Sequence, residues 1–369
     1  MGQSKTLVLT GGHAGATAYA LVQALKKNKT FNWKIHFIGA SSAFEGKNVS
    51  TFGKKVLPPI GVAYHSITSG RLQRRFSAHT IPSLLKIPVG FVEAFGLIRK
   101  INPDIILSFG GYTSFPVVVV GKLLGKRVIL HEQTSAYGRA NRFSQVFADK
   151  IALSRGESKK HFDSDKVLVT GNPVSEEICS VKPKKNLGSP PTIFVTGGSR
   201  GAQIINETLA IIAPKLLSRF KIIHQVGEAD YDKYVLLKDS LEDLGKNYDV
   251  FGVIPPAKWY QYIEISDFII SRAGANMISE LLVVKRPSIL IPIPWSFGDE
   301  QNKNALFAKE FGIARILPQD KLSPQTLMME IDKLLDNWKD MVDAAGSKQS
   351  PDVKASENLV NLLISEISK

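Results

Sequence analysis

The stretch TIFVTGGSRGAQIIN, residues 192–206, decides the fold. Its first residues are apolar or β-branched and do not alternate, the pattern of a strand buried on both faces of a parallel sheet. Two glycines then end the run, and a helical pattern starts a few residues on. Glycine lets the backbone turn sharply and approach a phosphate, while a helix start presents unpaired N–H groups and the positive end of the helix dipole. Ser199 can add a hydroxyl donor and Arg200 a charge.

Working outward, the same design opens the chain about 185 residues earlier, as TLVLTGG at 6–12. Further apolar runs follow at KIHFIGA (34–40), DIILSFGG (104–111) and RVILHE (127–132), and the series closes at VLVTGNP (167–173). After residue 192 the rhythm resumes with KIIHQVG (221–227), DFIISRAG (267–274) and PSILIPIP (287–294). Helical pattern separates most of these runs, so the units are βαβ and the class is α/β. Two glycine-ended first strands predict two Rossmann-like halves. The expected division is residues 1–175, a linker at 176–191 whose part 180–191 is rich in Lys, Pro, Gly and Ser, a second domain at 192–345, and a C-terminal helix at 346–369.

Composition narrows the function. The chain has 369 residues, 44% hydrophobic and 22% charged, which excludes a disordered protein. A net charge of +14 favours anionic partners such as nucleotide phosphates, acidic lipid or nucleic acid. Aromatics at 9% form no stacking platform, so nucleic acid is not the expected partner. Cys179 is the sole cysteine, so no internal disulfide and no cysteine zinc site can form. No apolar run reaches the roughly 18 residues of a membrane span. The segment 66–100 breaks the α/β rhythm. There Arg71, Arg74, Arg75, Lys86, Arg99 and Lys100 interleave with Leu72, Phe76, Ile81, Leu84, Leu85, Ile87, Val89 and Phe91, which suits an anionic membrane surface.

Other strand ends carry candidate chemistry. In SRAGANMISE (271–280), Glu280 follows a small-residue turn, and a carboxylate there suits a ribose diol, accepting from both hydroxyls. In PIPWSFGDEQNKNA (292–305), Gln301 and Asn304 offer amides that both donate and accept, which suits sugar hydroxyls; Asp299 reads as a helix N-cap. In the first half, TGGHAGAT (10–17), SFGGYTSFP (108–116) and HEQTSAYGRAN (131–141) all sit at C-terminal strand ends, where open α/β sheets place their sites. His13 in its glycine loop is a candidate general base, and His131 reads as a structural histidine. There is no G-x-G-x-x-G, no Walker lysine and no zinc spacing, so a nicotinamide enzyme is disfavoured and no cofactor or metal is expected.

Taken in order, GGY (110–112), HEQ (131–133), GNPV (171–174), GGSRGA (197–202), HQ-x-G (224–227), SRAGA (271–275) with Glu280, and D-x-Q-x-x-N-A (299–305) resemble the MurG-type lipid I N-acetylglucosaminyltransferases of glycosyltransferase family 28. The resemblance covers nearly the whole chain. It implies a GT-B fold, two Rossmann-like domains with parallel sheets facing each other across a cleft. It implies UDP-N-acetylglucosamine (UDP-GlcNAc) as donor and a polyprenyl-diphosphate-linked muramyl peptide as acceptor, joined β-1,4 with inversion, without a metal, at the cytoplasmic face of the cell membrane. It places the donor on the C-terminal domain and the acceptor on the N-terminal domain, with the terminal helix packed back on the latter. By the same resemblance Ser199 and the loop from Gly198 through Arg200 and Gly201 to Ala202 bind the diphosphate. Gly274 and Ala275 offer backbone, Glu280 holds the ribose, Gln301 and Asn304 read the sugar, and Ile254 lies beside the uracil. Gly12 and Thr134 join the donor set. Tyr112 belongs to the acceptor side, and Arg71, Arg74, Arg75, Phe76, Leu84 and Leu85 to the membrane contact. This chain departs from the family in three places. Its first glycine loop is shorter and lacks a proline, so the catalytic position falls on His13 or, without a gap, on Thr17. Thr134 replaces an asparagine, and Ser175 replaces an arginine. The same architecture also fits a glycosyltransferase for another lipid acceptor, diacylglycerol or a polyprenyl-linked sugar, or a UDP-sugar 2-epimerase.

Overall fold

A computed structural model describes residues 3–12, 14–40, 42, 51–68, 70, 80–136 and 138–369, without the side chains of 80–85, 139 and 164. The chain forms two compact units, one of Met1–Glu176 with Pro351–Lys369, the other of Glu177–Ser350.

Among the described residues of the first unit, seven parallel strands run in the order β3-β2-β1-β4-β5-β6-β7. They are β1 (Ser4–Thr10), β2 (Asn32–Ala40), β3 (Ala63–Ile67), β4 (Ile105–Ser108), β5 (Arg127–Glu132), β6 (Lys150–Leu153) and β7 (Val167–Val169). The helices are α1 (Gly15–Lys27), α2 (Phe52–Val56), α3 (Thr80–Ile101), α4 (Ser114–Leu123) and α5 (Arg139–Ser144), then α6 (Glu176–Ser180) at the boundary between the units. Both faces of β1 are covered, which is why its sequence is continuously apolar. Leu7 and Leu9 pack with Leu21 and Leu25 of α1, while Val8 packs on the opposite face with Ala94 and Ile98 of α3.

In the second unit six parallel strands run β10-β9-β8-β11-β12-β13. They are β8 (Thr192–Thr196), β9 (Lys221–Gln225), β10 (Tyr248–Phe251), β11 (Phe268–Ser271), β12 (Ser288–Leu290) and β13 (Ala314–Ile316). With them go α7 (Gln203–Leu217), α8 (Tyr231–Ser240), α9 (Pro256–Ile265), α10 (Ala275–Val284), α11 (Glu300–Phe311), α12 (Pro324–Asp336) and α13 (Trp338–Gly346). Ile193 and Val195 join Leu209, Leu216 and Leu327 in one core. The segment before β8 is tied down by buried Asp267, which accepts from Lys184 and from the backbone N–H groups of Gly188 and Thr192.

After Ser350 the chain returns to the first unit as α14 (Ala355–Ile367), whose Leu359 and Leu363 enter the core beside α1. Arg155 clamps the returning segment through a buried bidentate pair with Asp352, 2.7 Å on each arm, and Asp352 also accepts the Asn172 N–H at 2.8 Å. Among the described residues no helix is long and apolar enough to cross a membrane, and no cluster of three or more acidic, histidine or cysteine side chains could hold a metal.

Candidate functional site

Parallel strands put all their C-terminal ends on one edge of a sheet. In the second unit the register aligns Phe251, Gln225, Thr196, Ser271 and Leu290 in one row, so the segments that follow them emerge side by side. After Thr196 the backbone turns through Gly197–Ala202 into α7. Gly198 (φ +84°) and Gly201 (φ +71°) hold the left-handed conformation that favours glycine, and Gly201 N–H closes the turn on Gly198 O at 3.0 Å. A Cβ on Gly201 would stand 1.8 Å from Val226 O, whereas one on Gly198 would meet nothing within 4 Å. The loop is thus packed hard on its β9 side and open above Gly198. Ser199 and Arg200 are exposed at its tip, and α7 starts with no side-chain cap. Its first N–H groups are therefore not spent on a capping side chain.

Two buried side chains behind the loop hold it in place. Gln225 donates to Thr196 Oγ1 at 3.1 Å and to Gly198 O at 2.9 Å, and its Oε1 accepts the Ile254 N–H at 2.8 Å. One amide therefore fixes the glycine loop and the segment after β10 together. His224 contacts Tyr248 Oη at 2.7 Å and Asn206 Oδ1 at 3.1 Å. Asn206 uses its amide nitrogen on Val226 O and Asp230, so its oxygen accepts from His224 Nε2–H, and Nδ1 accepts from the tyrosine hydroxyl. Burial pushes the His224 imidazole down to about 3, so it stays neutral and structural.

The next strand repeats the turn. Gly274, where an added Cβ would meet nothing within 4 Å, precedes α10, which also starts without a side-chain cap. Glu280 stands in that helix, partly buried, and its carboxylate accepts from Trp259 Nε1–H at 2.7 Å. Burial pushes the Glu280 carboxyl up to about 7, against the pull of the indole N–H. Arg272 is lowered by burial to about 10 and donates to Ile291 O at 3.0 Å.

Beyond β12, Gln301 Oε1 accepts the Ile293 N–H at 3.0 Å, and buried Asn304 donates to Ala273 O at 3.1 Å. These bonds set both amides against the two neighbouring loops. Asp299 occupies the N-cap position of α11 but does not cap it. Its φ of +60° is left-handed, and its carboxylate takes the Asn302 side chain at 2.6 Å instead. The capping role expected from sequence is therefore corrected.

In the first unit the register aligns Ile38, Thr10, Ser108 and Leu130, so the chain leaves β1, β4 and β5 on one edge, at Gly11, Phe109 and Gln133. Gly12 N–H donates to Gly110 O at 3.0 Å, and Tyr112 lies within 3.9 Å of a Cβ placed on Gly12. Thr134 is buried, with its hydroxyl 2.7 Å from Ala136 O and 3.2 Å from Glu132. That hydroxyl is held by its own loop. Glu132 is raised by burial and held by Asn141, Gly138 and Thr134. His131 is fully buried, pushed down to about 4, and bonded through Nε2 to Gly171 O at 3.0 Å. Thr17 is fully buried in the first turn of α1.

Several sequence candidates lie outside the described residues: His13, Arg71, Arg74, Arg75 and Phe76, together with the side chains of Leu84 and Leu85 on α3. Within the second unit, the glycine loop with Gly198, Ser199, Arg200 and Gly201, the turn at Gly274 with the start of α10 at Ala275, and the first turns of α11 with Gln301 and Asn304 follow strands of one sheet edge, as does Ile254 after β10. Sequence reasoning gave no role to Gln225, Asn206 or Trp259. Gln225 and its neighbour His224 stood in a recognised motif; Trp259 gave no signal, since its bond partner is 21 residues away.

Two parallel-sheet units with glycine turns at their carboxyl edges define a nucleotide-binding α/β protein of GT-B type. Residues 7–153 match the glycosyltransferase family 28 N-terminal domain and residues 192–359 the C-terminal domain of that family. A Bacillus cereus protein named UDP-N-acetylglucosamine--N-acetylmuramyl-(pentapeptide) pyrophosphoryl-undecaprenol N-acetylglucosamine transferase 2 is 33% identical over 340 residues, 90% of this chain and 92% of that one. A Lachnoclostridium phytofermentans protein named as the same transferase is 29% identical over 367 residues, 97% of this chain and 98% of that one. The chain belongs to glycosyltransferase family 28. Among solved structures, Acinetobacter baumannii MurG shares its fold at a TM-score of 0.68 and 22% identity, over 98% of this chain and 99% of that one. A Neisseria meningitidis UDP-GlcNAc 2-epimerase bound to UDP-GlcNAc gives 0.63 at 14% identity, over 98% and 100%.

Proposed function

We propose that this chain transfers N-acetylglucosamine from UDP-GlcNAc to the C4 hydroxyl of undecaprenyl-diphosphate-linked MurNAc-peptide, forming a β-1,4 bond with inversion and releasing UDP. The observation that carries this reading is the pair of uncapped helix starts, on α7 and α10, that follow adjacent strands, with open space at Gly198 and Gly274. The acceptor oxygen attacks C1 of the sugar, the bond from C1 to the diphosphate breaks, and the hydroxyl proton passes to a base. Negative charge grows on the departing UDP. Backbone N–H groups at the helix starts, Ser199 and Arg200 stabilise that charge. Ala275 contributes backbone, the Glu280 carboxylate takes the ribose diol, Gln301 and Asn304 take the sugar hydroxyls, and Ile254 borders the uracil. Gly12 sits at the first-unit glycine turn, Thr134 acts through its loop, and Tyr112 serves the acceptor. With Thr17 sealed from solvent, His13 is the group to test as the base.

The segment 66–91 docks on the anionic cytoplasmic face of the membrane as a peripheral contact. Val89, Val92 and Phe95 of α3, exposed by 46%, 72% and 44%, supply apolar side chains that support this reading. The test is release of UDP from UDP-GlcNAc with lipid I as acceptor, which His13→Ala should abolish. Turnover with diacylglycerol or another polyprenyl-linked sugar but not with lipid I would replace the acceptor. Isomerisation at C2 without any acceptor would make the chain an epimerase, a chemistry known on the same fold.

A further inference from the structure

We infer that Trp259 is a positioning residue for the donor site, holding the Glu280 carboxylate in the orientation that discriminates a ribose from a deoxyribose. This rests on the reading that Glu280 receives the ribose.

The geometry is specific. An indole N–H can only donate, so at 2.7 Å it occupies one lone pair of Glu280 Oε2 and leaves the remaining acceptor sites of the ionised carboxylate open. The rest of the carboxylate stays available to the two donors of a vicinal diol. Binding a diol with both hydroxyls requires the carboxylate plane to be set beforehand, because an unrestrained glutamate loses several rotamers on binding. Trp259 is itself held. It stands in α9, and its ring meets the edge of buried Phe194 of β8 at 5.0 Å between centroids and 69° between planes. The tryptophan thereby references the carboxylate on α10 to the central strand whose end forms the glycine loop. The contact also supports the ionised carboxylate in surroundings that otherwise favour its protonated form.

A bond serving stability alone would tie α9 to α10, and its loss would lower the melting temperature without altering which nucleotide binds. The two roles separate by titrating UDP and 2′-deoxy-UDP into the full chain at pH 8. The wild type should prefer UDP by about tenfold, the scale of one hydrogen bond to a charged group. Glu280→Gln should remove most of that preference. Trp259→Phe keeps the aromatic contact with Phe194 and loses the N–H, and should cut the preference to about threefold or less while UDP still binds, a partial loss of one such bond. Trp259→His, a smaller ring that retains an N–H, should keep more of the preference than Trp259→Phe. An undiminished preference in Trp259→Phe, or equal loss in the Phe and His variants, overturns the positioning role. An undiminished preference in Glu280→Gln overturns the ribose reading itself, and the two failures are told apart because only the second involves Glu280.

Discussion

Thr10 and Thr196 end the first strand of each unit, in TLVLTGG and TIFVTGG, and both are fully buried. They are finished differently. The Thr196 hydroxyl takes the Gly198 N–H at 2.9 Å and the Gln225 amide at 3.1 Å, whereas the Thr10 hydroxyl has no partner among the described residues. The contrast extends along each edge. In the second unit Gln225, Asn206 and His224 spend their polar atoms on the glycine turn and its supports. In the first, Thr113 Oγ1, His131 Nδ1, Gln133 Nε2 and Asn141 Oδ1 join Thr10 as buried atoms without a partner among the described residues. Buried polar groups normally find partners, so such a concentration asks for ordered water or ligand. Among the described residues, one strand-turn-helix design thus yields a glycine turn braced by its own polar side chains in one unit and a cluster of unpartnered buried polar atoms at the edge of the other. Under the proposed function, the first would grip the nucleotide and the second would receive the acceptor.

Perturbing each side should expose this difference. The largest effect falls on the first unit alone. Asp352→Ala strands buried Arg155 and should cost about 3–5 kcal/mol in denaturant unfolding of that unit. UDP affinity should be unchanged; a matching loss of UDP binding would break the separation. Gly201→Ala puts a methyl against Val226 O at positive φ and should weaken UDP-GlcNAc binding about 100-fold by calorimetry. Gly111→Ala, also at positive φ and 2.8 Å from Gly12 N, should impair acceptor turnover and leave that affinity intact.

The buried acids differ too. Among the described residues Glu132 accepts from several donors and Glu280 from the Trp259 indole. Since the ionised Glu280 accepts the diol, donor affinity should fall as pH drops through about 7, by about tenfold between pH 8 and pH 6. UDP-GlcNAc is the right probe because its diphosphate does not titrate there. For folding the sign reverses. A carboxyl raised in the folded state favours the fold while protonated, and that contribution is lost as pH rises from 4.5 through 7. A flat affinity profile would remove Glu280 from the nucleotide. The smallest effect is the sharpest contrast: Thr196→Val should cost about 1–2 kcal/mol in thermal unfolding, and Thr10→Val less than about 0.5 kcal/mol. Equal costs would erase the distinction between the two edges.

Much of this was legible in the letters. Continuous apolar runs ending in glycine fixed the parallel strands, because burial on both faces and a close turn leave that pattern and few others. The carboxyl-edge turns at Gly198 and Gly274 followed from it. What escaped was pairing across sequence distance. Nothing adjacent to Gln225 states that its amide spans from Gly198 to Ile254, and nothing near Trp259 points to α10. Asp299 misled because the cap preference is a local average, and here the left-handed backbone beside Gly298 turns the carboxylate toward Asn302. Thr134, set with the donor residues by resemblance, has its hydroxyl against Ala136 O and Glu132, a pairing within its own loop that the letters do not state.

The helix α14 lies beside α1 although the residues of the second unit are synthesised between them. A ribosome therefore delivers Glu177–Ser350, able to close its own core, before the last seat of the first unit can be filled. Until Leu359 and Leu363 emerge, the apolar flank of α1 stays uncovered, so the part made first is completed last. A chain cut short after Ser350 should keep a foldable nucleotide half and an aggregation-prone partner.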